Sequence, residues 1–204
     1  MTVAGSDLLS RDDFIVALTK LGARLEARGI VGDVYLVGGA AMVLAYRTRE
    51  MSRDIDAVFA PSAEIYQAAT VVKDEMGLPD GWLNDAAKGY VPGEDHNAIP
   101  VMIVPGLRIT AASPEFMLGM KLLAARPEQD REDIAYLAKL LNLEESDQVL
   151  QVVERLYPPE LLTPRTKFLV QEMFPKSSDA QVDRQAPADP NSRRPPERDE
   201  LVDT

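Results

Sequence analysis

Leu36-Val37-Gly38-Gly39-Ala40-Ala41 and, a short helix later, Ser52-Arg53-Asp54-Ile55-Asp56-Ala57-Val58-Phe59 are the stretches whose reading decides the fold of this chain. The first pairs an apolar run with two glycines, a turn at which backbone can approach a phosphate closely. The second reads as a strand. Asp54 and Asp56 lie two positions apart on it, so their side chains leave the same face. Few structural needs place two like charges side by side. A divalent cation supplies a reason, because it takes oxygen ligands and cancels the repulsion.

Working outward, Ser10 and Asp13 resemble a capping box ahead of an apolar stripe, Phe14, Leu18, Leu21 and Leu25, and predict a helix over 11–28. A short buried strand follows over 33–37, then a helix over 40–46 whose start sits on the glycine pair, then the acidic strand over 54–59. Ser62 is expected to cap a helix over 63–76. Residues 77–93 are rich in Gly, Pro, Asn and Asp and read as an ordered loop with one helical turn, anchored by Trp82 and Tyr90. Pro105-Gly106 joins two strands, 99–104 and 107–111, in a hairpin. Ser113-Pro114-Glu115 opens a helix reaching about residue 125. Further helices are expected over 129–141, 145–156 and 164–173.

The 204 residues carry a net charge of −11, a hydrophobic share of 46% and no cysteine. Disulfides, thiolate metal sites and Cys nucleophiles are thereby excluded. The first residues lack the basic and apolar regions of a signal peptide, and no apolar run approaches the roughly 20 residues of a membrane span. A cytoplasmic protein is the expectation. The acidic balance argues against coating nucleic acid by charge alone, so any such contact needs a local basic patch. Arg47, Arg49 and Arg53 near the motif, and Lys88, Arg108, Lys121, Arg126 and Arg131 later, are the candidates. From residue 176 the chain turns to Ser, Asp, Gln, Arg and Pro, the composition of a disordered tail.

Helix, strand, Gly-Gly turn, helix and Asp-x-Asp strand in this order resemble the DNA polymerase β type of nucleotidyltransferase fold. Three further runs sharpen the likeness: Gly81-Trp82-Leu83-Asn84-Asp85-Ala86, then Ser113-Pro114-Glu115-Phe116-Met117-Leu118-Gly119-Met120-Lys121-Leu122-Leu123, then Asp130-Arg131-Glu132-Asp133-Ile134-Ala135-Tyr136-Leu137. Together with the first two they are similar to bacterial minimal nucleotidyltransferases of the MenT and AbiEii type, the toxin components of two-gene toxin–antitoxin systems. The similarity covers residues 10–140. It implies Asp54 and Asp56 as ligands of Mg²⁺ or Mn²⁺ and as catalytic residues with Lys121 and Asp133. It implies Gly38, Gly39, Ser52, Arg53 and Lys121 as contacts to a nucleoside triphosphate. Where that wider fold usually carries Gly-Ser at its turn, this chain has Ala40 and Ala41 after the glycines. Neither 99–104 nor 107–111 contains the acid that would complete a polymerase-type triad.

The residues alone leave several roles open. Lys121 reads equally as a snorkelling surface lysine. Asp130 reads equally as a helix N-cap, and Asp133 as an ion-pair partner of Arg126 or Arg131. Trp82 and Tyr90 read as packing anchors before base-stacking platforms, and His96 as a loop residue before a ligand. The combined expectation is an α+β fold with a small mixed sheet, organised as a nucleotidyltransferase core over 1–111, a helical segment over 112–175 and the tail. Its expected reaction is metal-dependent transfer of a nucleoside monophosphate from an NTP to RNA, foremost the 3′ end of tRNA, or to a protein hydroxyl. The expected partner is a cognate antitoxin. The alternatives are a catalytically weak regulator that binds nucleotide or a partner, and transfer to an aminoglycoside-type small molecule.

Overall fold

The computed structural model describes residues 8–124 and 126–176; of the tail expected from residue 176, all but Lys176 lies outside the described residues. Strand β1 (Leu9–Ser10) leads directly into helix α1 (Arg11–Glu26). The capping box is formed: the Ser10 hydroxyl accepts from the Asp13 amide, and the Asp13 carboxylate accepts from the Ser10 amide at 2.9 Å. Strand β2 (Gly32–Leu36) ends at the glycine pair. Gly38 and Gly39 are themselves the first residues of helix α2 (Gly38–Ala41), so the helix starts two residues earlier than the apolar run implies. It widens without a break into a π-turn, Met42–Tyr46, and stops at Arg47 in the left-handed region.

Strand β3 (Met51–Ser52) pairs antiparallel with β1, a two-stranded ribbon too short to leave a periodic signature. Strand β4 (Ile55–Ala60) begins just after Asp54, and Ile55, Ala57 and Phe59 are buried while Asp54 and Asp56 occupy the alternate positions. Helix α3 (Ser62–Met76) is capped by Pro61 and not by Ser62, whose hydroxyl instead donates to the Phe59 carbonyl at 3.0 Å. Within the expected loop lie strand β5 (Leu83–Asn84) and a 3-10 turn, Ala86–Tyr90. The hairpin is formed by β6 (Ile99–Val104) and β7 (Leu107–Ala111), followed by helices α4 (Pro114–Ala124), α5 (Pro127–Leu140), α6 (Ser146–Leu156) and α7 (Pro164–Met173).

The main sheet runs β5-β4-β2-β7-β6 and is mixed: β2 pairs antiparallel with β4 and parallel with β7, and β5 adds to β4 in parallel. The fold is α+β. Helices α1 and α3 cover one face, over the inward residues Val34, Leu36, Leu107 and Ile109. A Cβ at Gly32 would lie 3.0 Å from both Leu25 and Leu107 and 3.1 Å from Ile65, so glycine there brings both helices against the central strand. Asp56 and Tyr35 face the other side of the sheet. One continuous cluster of buried apolar side chains extends from Leu9 to Phe174 and takes in the C-terminal helices. Among the described residues no helix is long and apolar enough to cross a membrane.

Candidate active site

On that other side a cavity of about 1010 Å³ runs between the glycine pair, the acidic strand and helix α4. A nucleoside triphosphate belongs to the size range such a volume admits. Gly38, Gly39, Ser52, Arg53, Asp54, Asp56 and Lys121 all line it, although 83 residues separate the first from the last. Asp133 does not line it; it sits buried behind Lys121, and Asp130 and Glu132 present themselves from the same helix.

Glycine is required at both turn positions. Gly38 has φ +61°, and a Cβ on it would lie 3.2 Å from Asp56 Oδ2. A Cβ on Gly39 would collide with the Ser52 hydroxyl. The fold therefore presses the turn onto the acidic strand and places the Ser52 hydroxyl beside Gly39. That partly offsets the alanines at 40 and 41, since an oxygen donor stands at the turn from a different strand.

Strand pairing supplies a residue that sequence reading passed over. Register sets Asn84 of β5 opposite Asp56, and its amide donates to Asp54 Oδ2 at 3.1 Å. The Asp56 carboxyl is pushed above its ordinary value, first by burial and then by the charge of Asp54, while Asn84 and Arg126 pull it down. A divalent cation would relieve both causes of the rise. Among the described residues no group of three or more Asp, Glu or His converges as a metal cage. Two carboxylates facing an open cavity suit Mg²⁺, which is held by one or two carboxylates and takes its other ligands from substrate phosphates and water. The donor set fits that ion.

Lys121 is not a snorkelling lysine. It is 7% exposed, and its Nζ lies 2.6 Å from Asp130 Oδ1 and 2.6 Å from Asp133 Oδ2. Arg49 closes the group: its Nε donates to Asp133 Oδ1 at 3.1 Å and its Nη2 donates to the Gln129 carbonyl at 2.9 Å. Two cations thus meet two carboxylates across α4, α5 and the segment that follows the π-turn, which satisfies charges that burial alone would penalise. Asp130 lies inside α5, whose N-cap is Arg126, and is not a cap. Asp133 pairs with Lys121 and Arg49 and with neither Arg126 nor Arg131; Arg131 meets Glu172 instead.

The remaining candidates fall apart from one another. Trp82 is buried and donates from Nε1 to the Ala69 carbonyl, a packing anchor. Tyr90 is exposed and lines the cavity. His96 stands on an exposed loop 3.8 Å from Glu94, away from the cavity lining. Arg47 and Arg49 line a second hollow of about 390 Å³ with Arg11, and Arg49 borders both. Around the main cavity four basic residues, Arg49, Arg53, Lys121 and Arg126, face four acidic ones, Asp54, Asp56, Asp130 and Glu132. In a chain of net charge −11 this lining is locally balanced and less acidic than the chain as a whole, which suits an anion that arrives with a metal ion. No protein-family model, curated protein or solved structure matches this chain.

Proposed function

We propose that this chain is a metal-dependent nucleotidyltransferase that moves a nucleoside monophosphate from an NTP to a hydroxyl, with RNA, foremost the 3′ end of tRNA, as leading acceptor and a protein hydroxyl as the other. The observation that carries this reading is the single cavity into which the glycine turn, Asp54, Asp56 and the fixed ammonium of Lys121 all open. Backbone at Gly38 and Gly39, the Ser52 hydroxyl and the Arg53 guanidinium bind the phosphates. Lys121, oriented by Asp130 and Asp133, holds its charge where negative charge develops during transfer. Asp54 and Asp56 would hold Mg²⁺ or Mn²⁺, which when bound neutralises phosphate charge and activates the attacking hydroxyl. The acceptor hydroxyl releases its proton to solvent as its oxygen bonds to the α-phosphorus and the bond to the bridging oxygen breaks, and pyrophosphate leaves.

The family resemblance extends the proposal to a cytoplasmic toxin restrained by an antitoxin. Purified protein incubated with labelled NTPs, Mg²⁺ and total tRNA tests the chemistry. Label enters RNA with at least one NTP and is lost in Asp56→Ala; no transfer with any NTP, or equal transfer by that variant, refutes the reading. Growth arrest on expression, relieved by Asp54→Ala, tests the toxin assignment.

One observation favours a second reading. The Lys121 ammonium is already engaged by two carboxylates, and no third acid joins the Asp54–Asp56 pair among the described residues. A nucleotide-binding regulator with weak catalysis has that character. Nucleotide-dependent thermal stabilisation without turnover would select it. Transfer to a polycationic aminoglycoside calls for a predominantly acidic pocket, and the balanced lining gives it no support.

A further inference from the structure

The charged residues occupy only part of the cavity. The uncharged lining includes Ala87 and Tyr90 from the 3-10 turn, the buried Met117 with Met120 and Leu123 from α4, and Gln129 from α5. Tyr90 is 58% exposed, the most open of the large aromatic residues at the site, while Trp82 of the same segment is buried. An open aromatic ring on the surface is ordinary by itself. Here it belongs to a backbone that the fold holds in place. The Tyr157 hydroxyl donates to the Tyr90 carbonyl at 2.7 Å, a contact reaching 67 residues along the chain. Tyr157 approaches that closely because α4 carries Gly119 beneath it, where a Cβ would lie 2.9 Å from the Tyr157 ring. The helix that delivers Lys121 and the methionine wall thus also fixes, through Tyr157, the turn that carries Tyr90.

Resting on the nucleotide reading above, we infer that Tyr90 and the partly exposed Met120 of α4 form the nucleobase platform of the site. The flat phenol and the polarizable Met120 thioether offer stacking area to an aromatic heterocycle. Ala87, Tyr90, Met120 and Leu123 carry no side-chain amide or carboxylate, and Gln129 is the residue of the lining that brings an amide. Recognition by stacking then favours purine over pyrimidine nucleotides by area and does not exclude either.

Calorimetric titration of the full chain with ATP and CTP, and with inorganic tripolyphosphate as a ligand lacking any base, all with Mg²⁺, tests this. Tyr90→Ala is expected to weaken ATP binding about 5- to 150-fold, the equivalent of roughly 1–3 kcal/mol per stacked base, and to leave tripolyphosphate binding unchanged. Tyr90→Phe keeps wild-type affinity, and Tyr90→Leu, which retains apolar bulk without a ring, loses most of it. Undiminished ATP binding by Tyr90→Ala or Tyr90→Leu overturns the platform and leaves the nucleotidyltransferase reading standing. Equal loss of ATP and tripolyphosphate overturns it also, since the residue would then shape the phosphate end. Wild-type protein that binds neither ligand overturns both readings together.

Discussion

The Asp56 carboxyl sits above its ordinary value of 3.8 because burial and the neighbouring Asp54 charge both disfavour ionisation. A carboxyl whose folded value is raised binds more protons folded than unfolded, so stability falls as pH rises through the window above 3.8. The penalty grows as pH rises through that window. Asp56→Asn is therefore expected to raise Tm in EDTA at neutral pH. The gain vanishes in acid, where the wild-type carboxyl is protonated, and Mg²⁺ raises Tm of the wild type more than of the variant. Melting curves at two pH values with and without the ion decide it; identical curves would show that the pair carries no electrostatic cost. Gly38→Ala meets two obstacles at once, a left-handed backbone that costs about 1–2 kcal/mol for a residue with a Cβ, and a contact of 3.2 Å with Asp56 Oδ2. Its expected signature is a lowered Tm together with loss of Mg²⁺-dependent nucleotide binding.

Between elements, the group formed by Lys121, Arg49, Asp130 and Asp133 ties α4 to α5. Removing Asp133 leaves the buried Lys121 with Asp130 alone and takes a carboxylate from the partly exposed Arg49, so Asp133→Ala is expected to cost about 3–5 kcal/mol in urea unfolding. Arg131 meets Glu172 at 2.8 Å with both side chains about half exposed, and Arg131→Ala is expected to cost at most about 1 kcal/mol. Equal losses in the two variants would refute the structural weight given to the buried group. Gly119→Ala sets helix propensity, about 1 kcal/mol in favour of alanine, against overpacking on Tyr157, about 1–3 kcal/mol. A net fall in Tm is expected, with a matching loss of ATP affinity. Helices with caps or an apolar stripe, and the Pro105-Gly106 hairpin, were legible in the sequence because their signals are local. The two-residue strands β1, β3 and β5 were not, since pairing alone defines them. Asn84 was equally hidden: it enters the site through the register of β5 on β4. The partners of Asp133 depended on how α5 packs against the segment after the π-turn, which no spacing encodes.

For the molecule as a whole, the boundary expected from the sequence near residue 111 would divide the cavity lining without dividing the hydrophobic cluster. Phe116, Met117, Leu118 and Leu122 of α4 are buried in the same cluster as Leu18 and Ile55. A fragment ending at Ala111 is expected to lose that cover, to show weak near-UV circular dichroism and to aggregate, whereas the full chain melts in one transition. Two independent transitions would refute a shared core. The sheet order has a consequence in time. Strand β4 reaches β2 across a short stretch, but Arg108 of β7 meets Asp33 of β2 only across 75 residues, and Lys121 lies further on still. Closure of the longer loop is entropically dearer and comes later. During synthesis the acidic half of the site is therefore assembled while the lysine half is still being translated. A ribosome-bound chain of this kind would carry Asp54 and Asp56 without Lys121, and the complete cavity lining would exist only once α5 has left the exit tunnel.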